Sequence, residues 1–206
     1  MQSREPRHLP LLLIVPGVAL LTAGSALWML ATALDRRIFN LMKLSVYNDL
    51  APVAAGLSTV GGIAFLGPLA FAVVLWLAYR RRRAEALWLL LTIASGRLTT
   101  EALKLGFEKA RPPLDDRLAL VTSYSFPSSH SAGSMLTSLA IATLFISGHR
   151  WRLLPVLAFP CAVGWSRMAL GVHWPSDVLA GLGFGMLWVG VAARWYPARP
   201  SVPAVD

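Results

Sequence analysis

Charge is scarce in this chain. Only 14% of its 206 residues are Asp, Glu, Lys or Arg while 56% are hydrophobic, a balance that excludes an ordinary soluble domain of this size. The lone cysteine, Cys161, excludes a disulfide within the chain and, lying mid-run among apolar residues, reads as core packing. Linkers, low-complexity tracts and convincing internal repeats are lacking too, so residues 1–206 read as one bundle domain. Acidic residues are the rarer sign, 10 against 19 Lys and Arg, for a net charge of +9. That excess does not point to nucleic acid, because the arginines stand in short clusters at the ends of apolar runs, where they anchor helices to anionic headgroups.

What the chain has in abundance is long apolar sequence. Six runs approach or exceed the roughly 20 residues that cross a hydrocarbon core: 9–34, 50–79 (its spanning part from 58), 85–107, 129–148, 153–171 and 175–196. The expected fold is all-α, a polytopic membrane protein built as a six-transmembrane-helix bundle. The first run follows Arg4 and Arg7, as the core of a cleaved signal would, but its 26 uncharged residues exceed a typical signal core and favour a retained anchor. With a cytoplasmic N-terminus, that side receives Arg4, Arg7, residues 80–83, Arg150, Arg152, Arg194 and Arg199, and the opposite side keeps Arg36, Arg37, Lys43, Lys109, Arg111 and Arg117. Between the first two runs, a short interfacial helix over 36–47, with Phe39, Met42 and Val46 towards lipid, competes with a plain connector. In the sixth run Gly181 and Gly185 form a GxxxG pair, widened by Gly183 and Gly190, that admits a close helix neighbour, within the bundle or from another chain.

The polar interruptions carry the chemistry. Arg97, Glu101, Lys104 and Glu108 fall at i, i+4, i+7 and i+11, along one helical face that cannot look at lipid. For Arg97 and Glu101 an internal salt ladder explains the pattern as well as a function would. Lys104 opens KLGFEKARP, which ends the helix at Pro112 and brings Lys104 and Arg111 towards one membrane surface. In YSFPSSHSAGSM, Pro127 precedes Ser128, Ser129 and His130 at the start of a small-residue helix. These serines suit an N-cap, and a helix N-terminus attracts anions, although a plain cap beside a solvent-facing histidine is the alternative. In SRMALGVHWPSD, Pro175 favours a first helical turn, so His173 lies just before the helix and Asp177 within it. At that spacing the carboxylate reaches a ring nitrogen, leaving the other free to attack, and Arg167 adds a third cation.

Three cations, serine hydroxyls, backbone donors, two histidines and an aspartate suit the holding of a phosphoryl group and displacement of its leaving group. Lys104 with Arg111-Pro112, then Pro127-Ser128-Ser129-His130, then Ser166-Arg167 with His173 and Asp177, together resemble the three-part signature of the type 2 phosphatidic acid phosphatase family, whose superfamily includes vanadium haloperoxidases. The ordered triple spans residues 104 to 177. One position departs: where the family usually has glycine before the histidine, this chain has Ser129.

The resemblance implies a metal-independent phosphatase without cofactor. His173 would be the nucleophile, forming a phosphohistidine, with Asp177 orienting it. His130 would protonate the leaving oxygen and then activate water. Lys104, Arg111, Ser128 and Arg167 would bind phosphate, with donors from the backbone around Ser129 and His130, and Arg97 and Glu101 would be structural. Expected substrates are lipid phosphates or pyrophosphates of the bilayer: undecaprenyl pyrophosphate, towards which the compact bundle leans, phosphatidylglycerol phosphate, phosphatidic acid or lipid A phosphates. The site would lie away from the basic cytoplasmic loops, on the periplasmic or extracellular face of a bacterial plasma membrane. A phosphotransferase with a non-water acceptor would use the same residues. A non-enzymatic membrane scaffold would instead keep its properties without His173.

Overall fold

The computed structural model describes residues 9–145 and 153–197, and every regular element among them is helical. Eight α-helical segments follow one another: α1 Leu9–Leu30, α2 Thr32–Met42, α3 Ala51–Gly61, α4 Ile63–Tyr79, α5 Arg83–Phe107, α6 Ser129–Phe145, α7 Leu153–Ala169 and α8 Pro175–Ala192. Two of them, α3 and α4, are one apolar span broken at Gly62, whose extended backbone (φ −78°, ψ 165°) ends one helix and starts the next. Counted that way there are seven helices rather than the six expected, because the run 9–34 is not a single helix. It breaks at Ala31 (φ −138°), just before Asp35, Arg36 and Arg37 make the sequence too polar to continue as a span. The expected end of the fourth run at Gly148 lies outside the described residues.

Among the described residues three segments are long and apolar enough to cross a membrane: Pro10–Leu30, Ala51–Tyr79 and Pro175–Trp195, of 21, 29 and 21 residues. Their outward side chains, among them Leu11, Val15, Phe71 and Leu75, are exposed, as befits a surface solvated by lipid tails.

At the centre, α8 is gripped between α6 and α1. A Cβ on Gly181 would lie 2.7 Å from the Ser128 carbonyl oxygen, one on Gly185 2.6 Å from that of Ala132, and one on Gly183 2.4 Å from the Leu21 nitrogen. The GxxxG pair therefore serves contacts within the chain, and the absence of side chains lets dispersion act over two backbones at once. Cys161 is exposed, contrary to the core role expected from sequence. Pro160, Val163, Gly164 and Arg167 form the buried face of α7, and a one-residue step from Pro160 rotates the side chain about 100° off that face.

The short helix expected at 36–47 is α2, shifted to Thr32–Met42. Phe39 does not face lipid: it is buried and packs on Trp174 with ring centroids 5.0 Å apart, because Asp35 and Phe39, one turn apart, share the inward face. Met42 and Val46 are exposed. The long loop between α5 and α6 is pinned by Leu118 N–H to Leu170 O (2.9 Å), Ser125 N–H to Lys109 O (2.8 Å) and Ser128 N–H to Asp177 O (3.0 Å). In the α7–α8 turn facing that loop Gly171 demands glycine, with φ +70° and a Cβ that would fall 1.9 Å from the Asp116 carbonyl oxygen.

Candidate active site

The turn between α7 and α8 builds the centre of the site. Asp177, in the first turn of α8, is fully buried, and its Oδ2 accepts the Trp174 N–H at 2.9 Å, satisfying one of the donors a helix start leaves open. The same oxygen accepts the Ser125 hydroxyl at 2.5 Å and lies 3.3 Å from His173 Nδ1. On the other edge of the imidazole, Nε2 is 3.1 Å from Arg111 Nη1. A guanidinium only donates, so Nε2 is the acceptor and the ring proton sits on Nδ1, facing Asp177. Burial, then the charges of Arg111, Arg167, Lys104 and His130, hold His173 well below the usual imidazole range, so the ring is neutral at pH 7 with its lone pair on the side of the cations.

Those cations converge by different routes. Arg111 spans the mouth of the turn, donating from Nη1 to Val172 O (2.7 Å), from Nε to Ser123 O (2.6 Å) and from Nη2 to Tyr124 O (3.1 Å). Burial lowers it to about 10, leaving it charged at neutral pH. Lys104, buried on the inner face of α5, donates to Tyr124 O at 2.6 Å. Arg167, buried on α7, donates to the Ser58 hydroxyl of α3, while its Nε has no partner, a buried donor available to an anion.

Ser128 is fully buried and caps α6, its Oγ accepting the Ser131 backbone N–H at 3.4 Å and the Ser131 hydroxyl at 3.1 Å. His130 stands in the first turn of α6 beside the α3–α4 break, where a Cβ on Gly62 would come within 3.3 Å of its Nε2. Ser129 turns its hydroxyl onto Glu101 Oε1 at 2.6 Å, which leaves only its backbone N–H for an anion. The ladder expected between Arg97 and Glu101 is not formed: among the described residues Arg97 has no ion pair. Its Nε and Nη2 are buried without partners, and a Cβ on Gly133 would be 2.5 Å from its Cζ. Glu101 instead meets the start of α6, which crosses α5 at that level.

Sequence reasoning passed over a second tier. Asp35, Lys109, Ser125 and Ser176 are buried around Asp177, and Ser58 anchors Arg167. The signals were present for two of them: Asp35 ends a 26-residue uncharged run and Lys109 lies inside KLGFEKARP. A cavity of about 510 Å³ on the α1–α2 side is lined by Trp28, Asp35, Phe39, Lys109, Arg111 and Trp174, among others. It reaches none of Ser128, His130 or Arg167, so it adjoins the cation cluster without containing it.

Over 146 residues, 67% of this chain and 71% of the relative, the sequence is 33% identical to phosphatidylglycerophosphatase B of Bacillus subtilis (strain 168). A putative undecaprenyl-diphosphatase of Escherichia coli (strain K12) is 42% identical over 64 residues, 31% of this chain and 30% of that protein. The crystal structure of a transmembrane PAP2 type phosphatidylglycerolphosphate phosphatase from Bacillus subtilis superposes with a TM-score of 0.76 at 27% identity, covering 91% of this chain and 96% of the other. The model of the PAP2 superfamily matches residues 85–201, which hold all three motifs and more than half of the sequence, and the chain belongs to that superfamily.

Proposed function

We propose that this PAP2 phosphatase hydrolyses the terminal phosphate of a membrane lipid phosphate or pyrophosphate through a phosphohistidine on His173. The observation that carries the reading is the orientation of one buried ring: Nδ1 towards Asp177, Nε2 towards Arg111. In the first step the Nε2 lone pair forms a bond to phosphorus as the bond to the leaving oxygen breaks, and His130 gives that oxygen a proton. Asp177 stabilises the positive ring that results. Arg111, Lys104 and Arg167, with the N–H groups opening α6, neutralise the phosphoryl oxygens, where phosphoryl transfer gains most. In the second step water attacks phosphorus, His130 takes its proton, and the N–P bond returns its electron pair to Nε2.

Phosphatidylglycerol phosphate leads the substrate panel, because the relative matched over two thirds of this chain is named for it. Undecaprenyl pyrophosphate comes next, through the relative matched over the shorter segment, and phosphatidic acid completes the panel. In this reading residues 1–206 are one domain, α1, α3–α4, α5, α6, α7 and α8 cross the bilayer, and α2 lies along its surface. The site stands at the end of α5 remote from residues 80–83, so positive loops inside place it on the periplasmic or extracellular face of the plasma membrane.

The test is phosphate release by purified protein in detergent with excess chelator, beside His173→Ala. Turnover should persist in chelator and fall by at least ~10³-fold in the variant. A folded His173→Ala protein with undiminished turnover would remove His173 from the chemistry.

A further inference from the structure

Behind Asp177 lies a buried array of charges that the phosphatase reading does not use. Lys109 Nζ donates to Asp177 Oδ1 at 2.9 Å and to Ser176 Oγ at 2.6 Å, and stands 3.5 Å from Asp35 Oδ2. Asp35, from α2, accepts the Ser176 N–H at 2.9 Å on Oδ1 and the Ser176 hydroxyl on Oδ2. The ammonium is also 5.1 Å from the Trp28 ring centroid and 5.7 Å from that of Phe126, faces that favour a cation. Asp35 and Asp177 are 2% and 0% exposed and Lys109 9%. Burying three charges is unfavourable unless each is paired and hydrogen-bonded, and here each is.

Resting on the reading of His173 as nucleophile, we infer that Lys109, held in place by Asp35, is a positioning residue for Asp177 rather than a phosphate ligand. An ammonium has three protons, and Ser176, Asp177 and Asp35 take all of them. The clamp fixes Oδ1, so Oδ2 is the oxygen presented to Trp174 N–H, Ser125 and His173. It also sets charge: two carboxylates and one ammonium leave one net negative charge behind the ring, matching the positive charge that the ring gains on phosphorylation. Asp177 faces Lys109 and Asp35 on one side. On the other it faces His173, with Arg111, Lys104, Arg167 and His130 around that ring.

The experiment compares Lys109→Met, Asp35→Asn and the double variant with wild type, measuring kcat, KM and the thermal midpoint in detergent, with His173→Ala as control. Lys109→Met leaves two buried carboxylates with no ammonium between them, so Asp177 Oδ1 loses its donor and the hold on Oδ2. The expected result is kcat down by ~10²-fold or more with KM within about threefold. The double variant removes one charge of each sign and should recover kcat at least about tenfold over Lys109→Met. Should Lys109→Met not fold, Asp35→Asn carries the test. It removes the carboxylate that holds the ammonium in place, so kcat should fall about tenfold with KM within about threefold.

A folded Lys109→Met protein with wild-type kcat overturns the inference. So does a KM raised tenfold at unchanged kcat, which would make Lys109 a phosphate ligand, or a double variant no better than the single. An active His173→Ala protein would instead overturn the nucleophile reading; an inactive one beside a normal Lys109→Met leaves that reading standing and removes only the clamp.

Discussion

Replacing Asp177 by Asn tests how much of the reaction depends on one buried carboxylate. Wild-type Asp177 accepts four hydrogen bonds: Lys109 on Oδ1, and Ser125, Trp174 N–H and His173 Nδ1 on Oδ2. Asn has one acceptor oxygen and one donor amide, and neither orientation serves. With its oxygen in the place of Oδ2, the amide meets the Lys109 ammonium, donor against donor, and the ammonium keeps only Ser176 and Asp35. Losing one charged hydrogen bond there costs about 1.5–3 kcal/mol of stability. With the amide in the place of Oδ2, His173 must accept at Nδ1, which moves the ring proton to Nε2 and blocks the lone pair proposed to attack.

In both cases the charge opposite the ring of the proposed phosphohistidine is gone. The expected loss is ~10²–10⁴-fold in kcat, about 3–5 kcal/mol of barrier at 1.36 kcal/mol per decade. The residues proposed to hold phosphate are untouched, so KM should stay within about threefold. The assay is steady-state phosphate release in detergent at saturating substrate, normalised to monodisperse protein. A folded Asp177→Asn protein retaining kcat within a factor of about ten would refute the assignment of Asp177 as the partner of His173.

Four further outcomes follow from the same geometry. His130→Ala should lose ~10²–10⁴-fold on lipid substrates and far less on an aryl phosphate whose leaving oxygen needs no proton; an equal loss on both would take His130 away from the leaving group. Because burial and neighbouring cations hold His173 neutral well below 6.5, kcat/KM should not decline as pH falls through that value. Arg111→Met, which removes a cation 3.1 Å from the ring, should move the acid limb to higher pH as well as raise KM, and a profile falling at ordinary imidazole pH in wild type would contradict the neutral buried ring. Ser129→Gly loses a hydrogen bond to Glu101 worth about 1 kcal/mol or less and should keep kcat/KM within about threefold; a tenfold drop would put that hydroxyl on the phosphate.

Much of this protein was legible before any fold. Scarce charge and long uncharged runs sufficed for an all-helical membrane chain, since the cost of polar groups in hydrocarbon acts on every residue of a span regardless of its partners. The three motifs were legible for a similar reason. His173 and Asp177 are one helical turn apart, Ser128 caps the helix it precedes, and these relations follow from local geometry alone. Ser129 marks the limit, because the sequence shows a departure from glycine but not that the hydroxyl would turn to Glu101, 28 positions away.

What the tertiary structure decided lies at long range. Lys109 meets Asp177 across 68 positions and Asp35 meets Ser176 across 141, and no periodicity connects residues so far apart. Phe39 and Cys161 exchanged their expected surroundings because a one-residue step on a helix moves a side chain about 100°, and only packing says which angle is inside. The GxxxG face announced a close neighbour; the bundle chose α6 and α1. Sequence by itself determined an all-helical chain suited to an apolar solvent and named the candidate reacting groups, since those depend on composition and local spacing. Tertiary structure alone determined which nitrogen of His173 faces Asp177 and which faces Arg111, and which charges stand behind Asp177, since both depend on elements that meet only when the chain has folded.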